Sequence, residues 1–304
     1  MSFSIRHTPG LLWRALKKFF GDNCTTMAAA LSFSTVFSLP ALLALMLMLL
    51  GSITDTAAVT DAIIRQVQSM VGPAAADQMR TIVGSIHDTK LPASVTAMLG
   101  GLALLFGATA AFAQLQGALN RAWNVKPDPR RGDVRNFLTK RIFSFGVVLV
   151  VAFLLLVSLA LSAFVNAIGT RVAGMVGLPD GLLIIANAVL SFVIIAALFG
   201  AMFKYLPDAR IGWRDVGVGA VSTALLFVLG KELIGLYLGS SDPGNAYGAA
   251  GSLVIVLLWI YYTSMIVLFG AELTRAWADE YGSGVKPERG AVEFVEQEKP
   301  VQAG

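Results

Sequence analysis

The stretch YGAAGSLVIVLLWIYYTSMIVLFGAELTRAW, Tyr247–Trp277, decides how this chain is read. From Ala249 to Ala271 it carries no charged residue, which is long enough to cross a hydrocarbon core about 30 Å thick. Glycines open it (Gly248, Gly251), aromatics occupy its middle (Trp259, Tyr261, Tyr262), and Glu272 stands where the apolar run stops, with Arg275 one turn on. The remaining apolar segments are read as helices packing around it.

Composition agrees. Only 14% of residues are charged and the mean hydropathy is +0.71, whereas soluble domains carry about 25% charged residues. The chain is an integral membrane protein. Its net charge of +4 serves orientation before it implies nucleic acid. The one cysteine, Cys24, excludes an intramolecular disulfide. The first apolar run, Met27 to Ile53, is too long for the core of a cleaved signal peptide, so it is expected to remain as a span.

Working outward, six spans are predicted: Ala28 to Ile53, a small-residue-rich second span from Ala93, Ile142 to Ile168, Leu182 to Phe203, Val216 to Leu238, and the quoted stretch. Residues 1–27 form a cytoplasmic segment in which Leu11–Phe20 reads as an amphipathic helix of the headgroup layer. Residues 28–277 form the transmembrane domain. Residues 278–304, with Glu288, Glu293, Glu296 and Glu298, read as a disordered cytoplasmic tail. Between spans 1 and 2, the charges from Asp55 to Lys90 and the helical spacing of Ile63, Ile64, Val67, Met70 and of Met79, Ile82, Val83, Ile86 predict two amphipathic external helices. The fold class is all-α and polytopic. Lysines and arginines concentrate in the amino terminus, in Arg121–Arg141 and in Lys204–Arg214, so both termini are expected inside.

Ionisable groups within spans are costly and default to functional candidates. Here they are Lys231 and Glu232 in span 5 and Glu272 at the inner end of span 6. Each has a bland alternative: a snorkelling lysine, an ion pair with an outer base, an Arg275 partner one turn away. Lys231 and Glu272 lie too far apart in depth to pair directly. Ser32, Thr35 and Ser38 give span 1 a hydroxyl-rich half before Pro40, readable either as packing or as cavity lining. Arg130, Arg131 and Arg135 are candidates for an anionic headgroup contact, against the plainer reading of a positive-inside loop.

Enzyme chemistry finds little footing. The two histidines, His7 and His87, fall on opposite sides of the predicted bilayer, so they cannot share a metal site. No GxxxxGK[ST] phosphate loop occurs, and no base neighbours the serines in sequence. No cofactor, metal or catalytic residue is expected. The basic loop lacks the interleaved aromatics of a single-strand binder, so no nucleic-acid partner is expected either.

Several spaced motifs then carry a resemblance: AAALSFSTVFSLPAL in span 1, LNRAW after span 2, KYLPDARIGWRDVGVGA entering span 5, KELIGLY, and YGAAGSLVIVLLWIYYTSMIVLFGAEL. From about Leu11 to Trp277 the chain resembles the YihY/BrkB-like family of bacterial inner-membrane proteins, historically labelled ribonuclease BN-like. It departs at Phe33-Ser34, where tyrosine is the expected aromatic. The resemblance implies a six-span plasma-membrane protein linked to envelope integrity and to movement of lipids or other amphiphiles. Membrane lipids are the implied partners, with a second copy or an envelope protein as further candidates. The alternatives are a non-transporting envelope scaffold and, more remotely, a membrane ribonuclease.

Overall fold

The computed structural model describes residues 8–36, 55–71, 76–77, 79–81, 83–84, 110–128, 180–241 and 251–294. The chain is mostly helical: α1 (Thr8–Gly21), α2 (Cys24–Val36), α3 (Thr56–Val71), α4 (residues 110–122), α5 (Asp180–Tyr205), α6 (Trp213–Ser241) and α7 (Gly251–Tyr281). Among the described residues, two helical stretches, Trp213–Ile234 and Leu253–Tyr281, are long and apolar enough to cross a membrane. Cys24–Val36 and Ser191–Tyr205 are shorter apolar helices. The second half of span 1, the start of span 2, span 3, Ser38 and Arg130, Arg131 and Arg135 all lie outside the described residues.

Local chemistry sets the breaks. Pro9 opens the first turn of α1, where its missing N–H costs nothing. Asn23 takes a left-handed conformation (φ 55°) between α1 and α2, which asparagine tolerates better than most residues. Asn124 (φ 52°) ends α4 in the same way. Asp215 falls in the first turn of α6, where a negative charge complements the helix dipole. The amphipathic helix expected after span 1 is present as α3. Met79 and Val83 are buried while Asp77 and Arg80 are exposed, as the predicted spacing of the next segment requires.

Helices α6 and α7 cross antiparallel at a contact built from two Gly-x-x-x-Thr pairs. Gly219 sits against Thr274, and Gly270 sits against Thr223. Each threonine hydroxyl donates to a carbonyl of its own helix, Thr223 to Gly219 (2.7 Å) and Thr274 to Gly270 (2.6 Å). Both hydroxyls are thereby satisfied without water, and the backbones approach closely where only glycine leaves room. Further along, Gly230 accepts the Tyr262 ring, and Phe227 packs edge-on against Trp259. The opposite faces stay apolar and open: Val221, Leu225, Leu229 and Leu233 on α6, and Ile185, Val189 and Val193 on α5. Stripes at four-residue spacing with large exposed aliphatics fit hydrocarbon, not water.

At the far end of the bundle, α2, α4, α5, α6 and α7 converge on one core that holds Leu119, Trp123, Phe203 and Leu268. α1 lays Leu11 and Ala15 on Leu273 and Ala276 of α7, and Arg14 and Lys18 pair with Glu280 and Asp279. Phe19 joins the main core, while Leu12, Trp13, Leu16 and Phe20 remain exposed.

The carboxyl-terminal segment corrects the sequence reading. It is not disordered from residue 278: α7 runs on to Tyr281, and the chain is ordered to Phe294. β3 (Lys286–Pro287) pairs antiparallel with β2 (Ala209–Arg210), and β4 (Ala291–Glu293) pairs antiparallel with β1 (Val125–Pro127). The Glu288 amide also donates to the Asp208 carbonyl (3.0 Å), and the Phe294 amide to the Asn124 carbonyl (3.0 Å). Averaged over its length the tail is polar, yet two- and three-residue pairings satisfy its backbone locally.

Candidate functional site

Three quoted motifs meet at one end of the core: LNRAW (Leu119–Trp123), the LPDAR segment around Asp208, and GAELTRAW (Gly270–Trp277). Trp123 donates its Nε1–H to the Ala271 carbonyl at 3.0 Å. Arg275 returns the connection, donating from Nη1 to the Ala122 carbonyl at 2.9 Å. Asn120 and Asp208 exchange two bonds: the Asp208 amide donates to Asn120 Oδ1 (2.8 Å), and Asn120 Nδ2 donates to Asp208 Oδ2 (3.0 Å). Gln116 adds a longer contact to the same carboxylate (3.4 Å). Beside this node a cleft of about 370 Å³ is lined by Gln116, Asn120, Arg121, Lys126, Asp208 and Phe294. Lys126 lies over the Phe294 ring, 5.4 Å from its centre.

Glu272 lies next to this node and is wholly buried (0% exposed). Its Oε1 accepts from the Cys24 thiol at 3.9 Å. Its Oε2 is buried and receives no hydrogen bond. Arg275 does not pair with it. That guanidinium is spent on Ala122 and on Asp279, 3.7 Å from Nε. Another acid, Asp22 in the turn between α1 and α2, stands close enough to act on it electrostatically. Burying an ionised carboxylate with one oxygen lacking any donor costs several kcal/mol, so this residue is not an ordinary helix-surface glutamate.

The other sequence candidates fare differently. Ser32 is buried and donates to the Leu257 carbonyl at 2.7 Å, bridging α2 to α7. Thr35 is half-buried on the same helix. Cys24, Ala28 and Ser32, spaced one turn apart, form a buried small and polar edge of α2 facing α7. Ser264 and Glu272, two turns apart, are buried on α7. Lys231 and Glu232 do not join this seam. They pair with each other at 3.4 Å, with side-chain exposures of 37% and 73%. Gly230 already occupies the face against Tyr262, and each further residue turns about 100° away from it.

Sequence reasoning missed Cys24, Asp22, Asn120 and Asp208. The last two sat inside quoted motifs, and for Asn120 the signal was a polar residue within an otherwise apolar helical face. Among the described residues no cluster of three His, Cys, Asp or Glu side chains is placed to hold a metal ion.

The long apolar helices, their open aliphatic stripes and the small-residue crossing define a helical membrane protein. The family model for virulence factor BrkB matches residues 15–293, and the chain belongs to that family. It is 31% identical over 261 residues to a UPF0761 membrane protein of Pseudomonas aeruginosa (strain LESB58), covering 84% of this chain and 60% of that one. A UPF0761 membrane protein of Verminephrobacter eiseniae is 28% identical over 262 residues, covering 85% and 60%. One from Psychrobacter sp. (strain PRwf-1) is 27% identical over 259 residues, covering 84% and 46%. The chain thus spans about 60% or less of the length of these relatives. No solved structure matches it.

Proposed function

We propose that this protein moves a lipid or other amphiphile within or across the bacterial inner membrane, as a six-span protein with both termini in the cytoplasm and without catalysing a covalent change. The observation that carries the reading is the seam between α2 and α7. There a bundle otherwise closed by Gly/Thr and aromatic contacts buries a carboxylate, a thiol and a serine hydroxyl. A helix pair serving only as scaffold gains nothing from a buried carboxylate with an oxygen lacking a donor. The exposed stripes of α5 and α6 supply the lipid-facing exterior such a protein needs. Arg130, Arg131 and Arg135 are assigned to the anionic headgroup side, with lipids as partners and a second copy or an envelope protein as a further one.

The test is reconstitution of purified protein into liposomes carrying a headgroup-labelled lipid in both leaflets. A membrane-impermeant quencher then reads exchange between leaflets. Protein-dependent exchange, slowed by Glu272→Gln, is expected. Vesicles that quench only to their outer-leaflet fraction, for labelled phospholipids of both anionic and zwitterionic headgroups, refute the reading and leave the envelope scaffold.

A further inference from the structure

We infer that the α5–α6 hairpin and strand β3 form a docking site for anionic phospholipid headgroups. Arg210, Arg214 and Lys286 attract the headgroup phosphate, and the Tyr205 and Trp213 rings enter the headgroup layer beside it. The inference goes beyond the transport reading and stands without it, since it needs only that the bundle lies in a membrane.

The hairpin places aromatic and basic groups together at the boundary of the bundle. Tyr205 ends α5 and Trp213 opens α6, and their rings meet edge to face with centres 5.9 Å apart. Both stay exposed, at 54% and 59%. Lys204 holds the arrangement: its Nζ donates to the Ile211 carbonyl at 2.6 Å and lies 5.5 Å from the centre of the Trp213 ring. Tyrosine and tryptophan, apolar in body and polar at one edge, favour the level of the headgroups. The apolar stretch Trp213–Ile234 begins at this point. The amphipathic α1 marks the same end of the bundle. It pairs with Asp279 and Glu280 at the close of α7, and Asp215 of α6 lies against Gly282 just beyond. There α1 exposes Trp13 and Lys17.

The charges at this corner call for an anion. Arg210 and Lys286 stand directly opposite each other in the β2–β3 pair, and both are exposed. Facing side chains in an antiparallel pair have Cβ atoms about 5 Å apart, and like charges there repel. Arg214 follows on the first turn of α6 and is also exposed. Among the described residues none of these three forms an ion pair. The neighbouring acids do not cancel them. Asp208 turns its carboxylate to Asn120 at 3.0 Å, Asp215 is buried, and Glu288 is followed by the exposed Arg289. Lys286 reaches this corner only because the carboxyl-terminal segment pairs with β2, so the tail supplies part of the site.

A lipid fits this surface better than a soluble anion or a nucleic acid. Free phosphate gains nothing from exposed rings beside it. Single-strand binders stack successive bases on ring faces, whereas here one ring is turned edge-on to the other and the Lys204 ammonium lies over Trp213. A headgroup at the end of an apolar helix uses the phosphate contacts and the rings at once.

The test uses full-length protein in nanodiscs of phosphatidylcholine that carry an equal fraction of chain-brominated phosphatidylglycerol or chain-brominated phosphatidylcholine. Bromine quenches tryptophan at near contact, and subtracting the signal of a Trp213→Phe counterpart isolates Trp213. Both lipids carry a phosphate, but only phosphatidylglycerol is anionic. One basic residue beside an anionic surface strengthens attraction about fivefold. A relative affinity for phosphatidylglycerol of at least about fivefold is therefore expected at low salt, falling as salt is raised. Lys286→Gln is expected to weaken the preference, the triple variant Arg210→Gln, Arg214→Gln, Lys286→Gln to abolish it, and Arg210→Lys to keep it. The replaced side chains form no ion pair among the described residues, so the variants are expected to retain the native hydrogen-exchange protection of α5 and α6. Equal quenching by the two lipids, no quenching of Trp213 by either, or a preference that the folded triple variant retains overturns the inference. So does single-stranded RNA that binds the protein in wholly phosphatidylcholine nanodiscs and is lost in the triple variant, which assigns the surface to nucleic acid.

Discussion

Replacing Gly219 with alanine tests the α6–α7 crossing most directly. In a free helix the change stabilises by up to about 1 kcal/mol, because glycine is the poorer helix former. At this crossing the new methyl would overlap the Thr274 hydroxyl and lie 2.7 Å from Thr274 Cβ. No rotation about χ1 moves a Cβ, so the helices must separate. Overpacking of this kind costs about 1–3 kcal/mol. It also loosens the Phe227–Trp259 contact further along the same interface. The net expectation is a loss of about 1–2 kcal/mol. Gly217 provides the internal control, since a Cβ there meets nothing within 4 Å. Gly217→Ala should be neutral or stabilising by up to about 1 kcal/mol. Gly270→Ala should follow Gly219→Ala, because its methyl would lie 2.9 Å from Thr223 Cβ. Gly230→Ala should be milder, because the Tyr262 side chain it meets can swing aside. The assay is tryptophan-monitored unfolding in mixed micelles across a denaturing-detergent titration. A cycle combining Gly219→Ala with Thr274→Ala should recover most of the loss, with a coupling of about 0.5–3 kcal/mol. If Gly219→Ala and Gly217→Ala unfold together, the close crossing is not a source of stability.

Other consequences are accessible to the same preparations. Trp123→Phe keeps most of the buried ring but leaves the Ala271 carbonyl without its donor, so a loss of about 1–3 kcal/mol is expected in the unfolding assay. Asn120→Ala and Asp208→Ala should each destabilise, while the double variant costs less than their sum, since either change alone strands the other partner. Limited proteolysis should spare residues 284–294, and Val292→Pro, which removes an amide and stiffens β4, should expose that segment to cleavage. Cysteine-accessibility labelling in intact cells should reach position 87 from outside and positions 130 and 290 only after permeabilisation, and outside labelling of position 130 would reverse the proposed orientation.

The chain's membrane character was settled by the length of its uncharged runs and by composition, because hydrocarbon admits only segments that satisfy their own backbone. That constraint acts residue by residue and needs no knowledge of neighbours. The positions of α5, α6 and α7 followed within a few residues for the same reason. What tertiary structure decided was which polar groups meet. Glu272 read as a partner for Arg275 at helical spacing, but α4 draws that arginine to the Ala122 carbonyl and leaves the glutamate to Cys24 and Asp22. Lys231 and Glu232 read as candidate charges within a span, but the fold pairs them with each other, with Lys231 half-buried and Glu232 exposed. The tail read as solvated, but two short strand pairings between segments distant in sequence hold its first part, through Glu293, in place. In each case the deciding energy is a contact between residues far apart in the chain. Local spacing can specify a helix face, but not which side chain or carbonyl lies across from it.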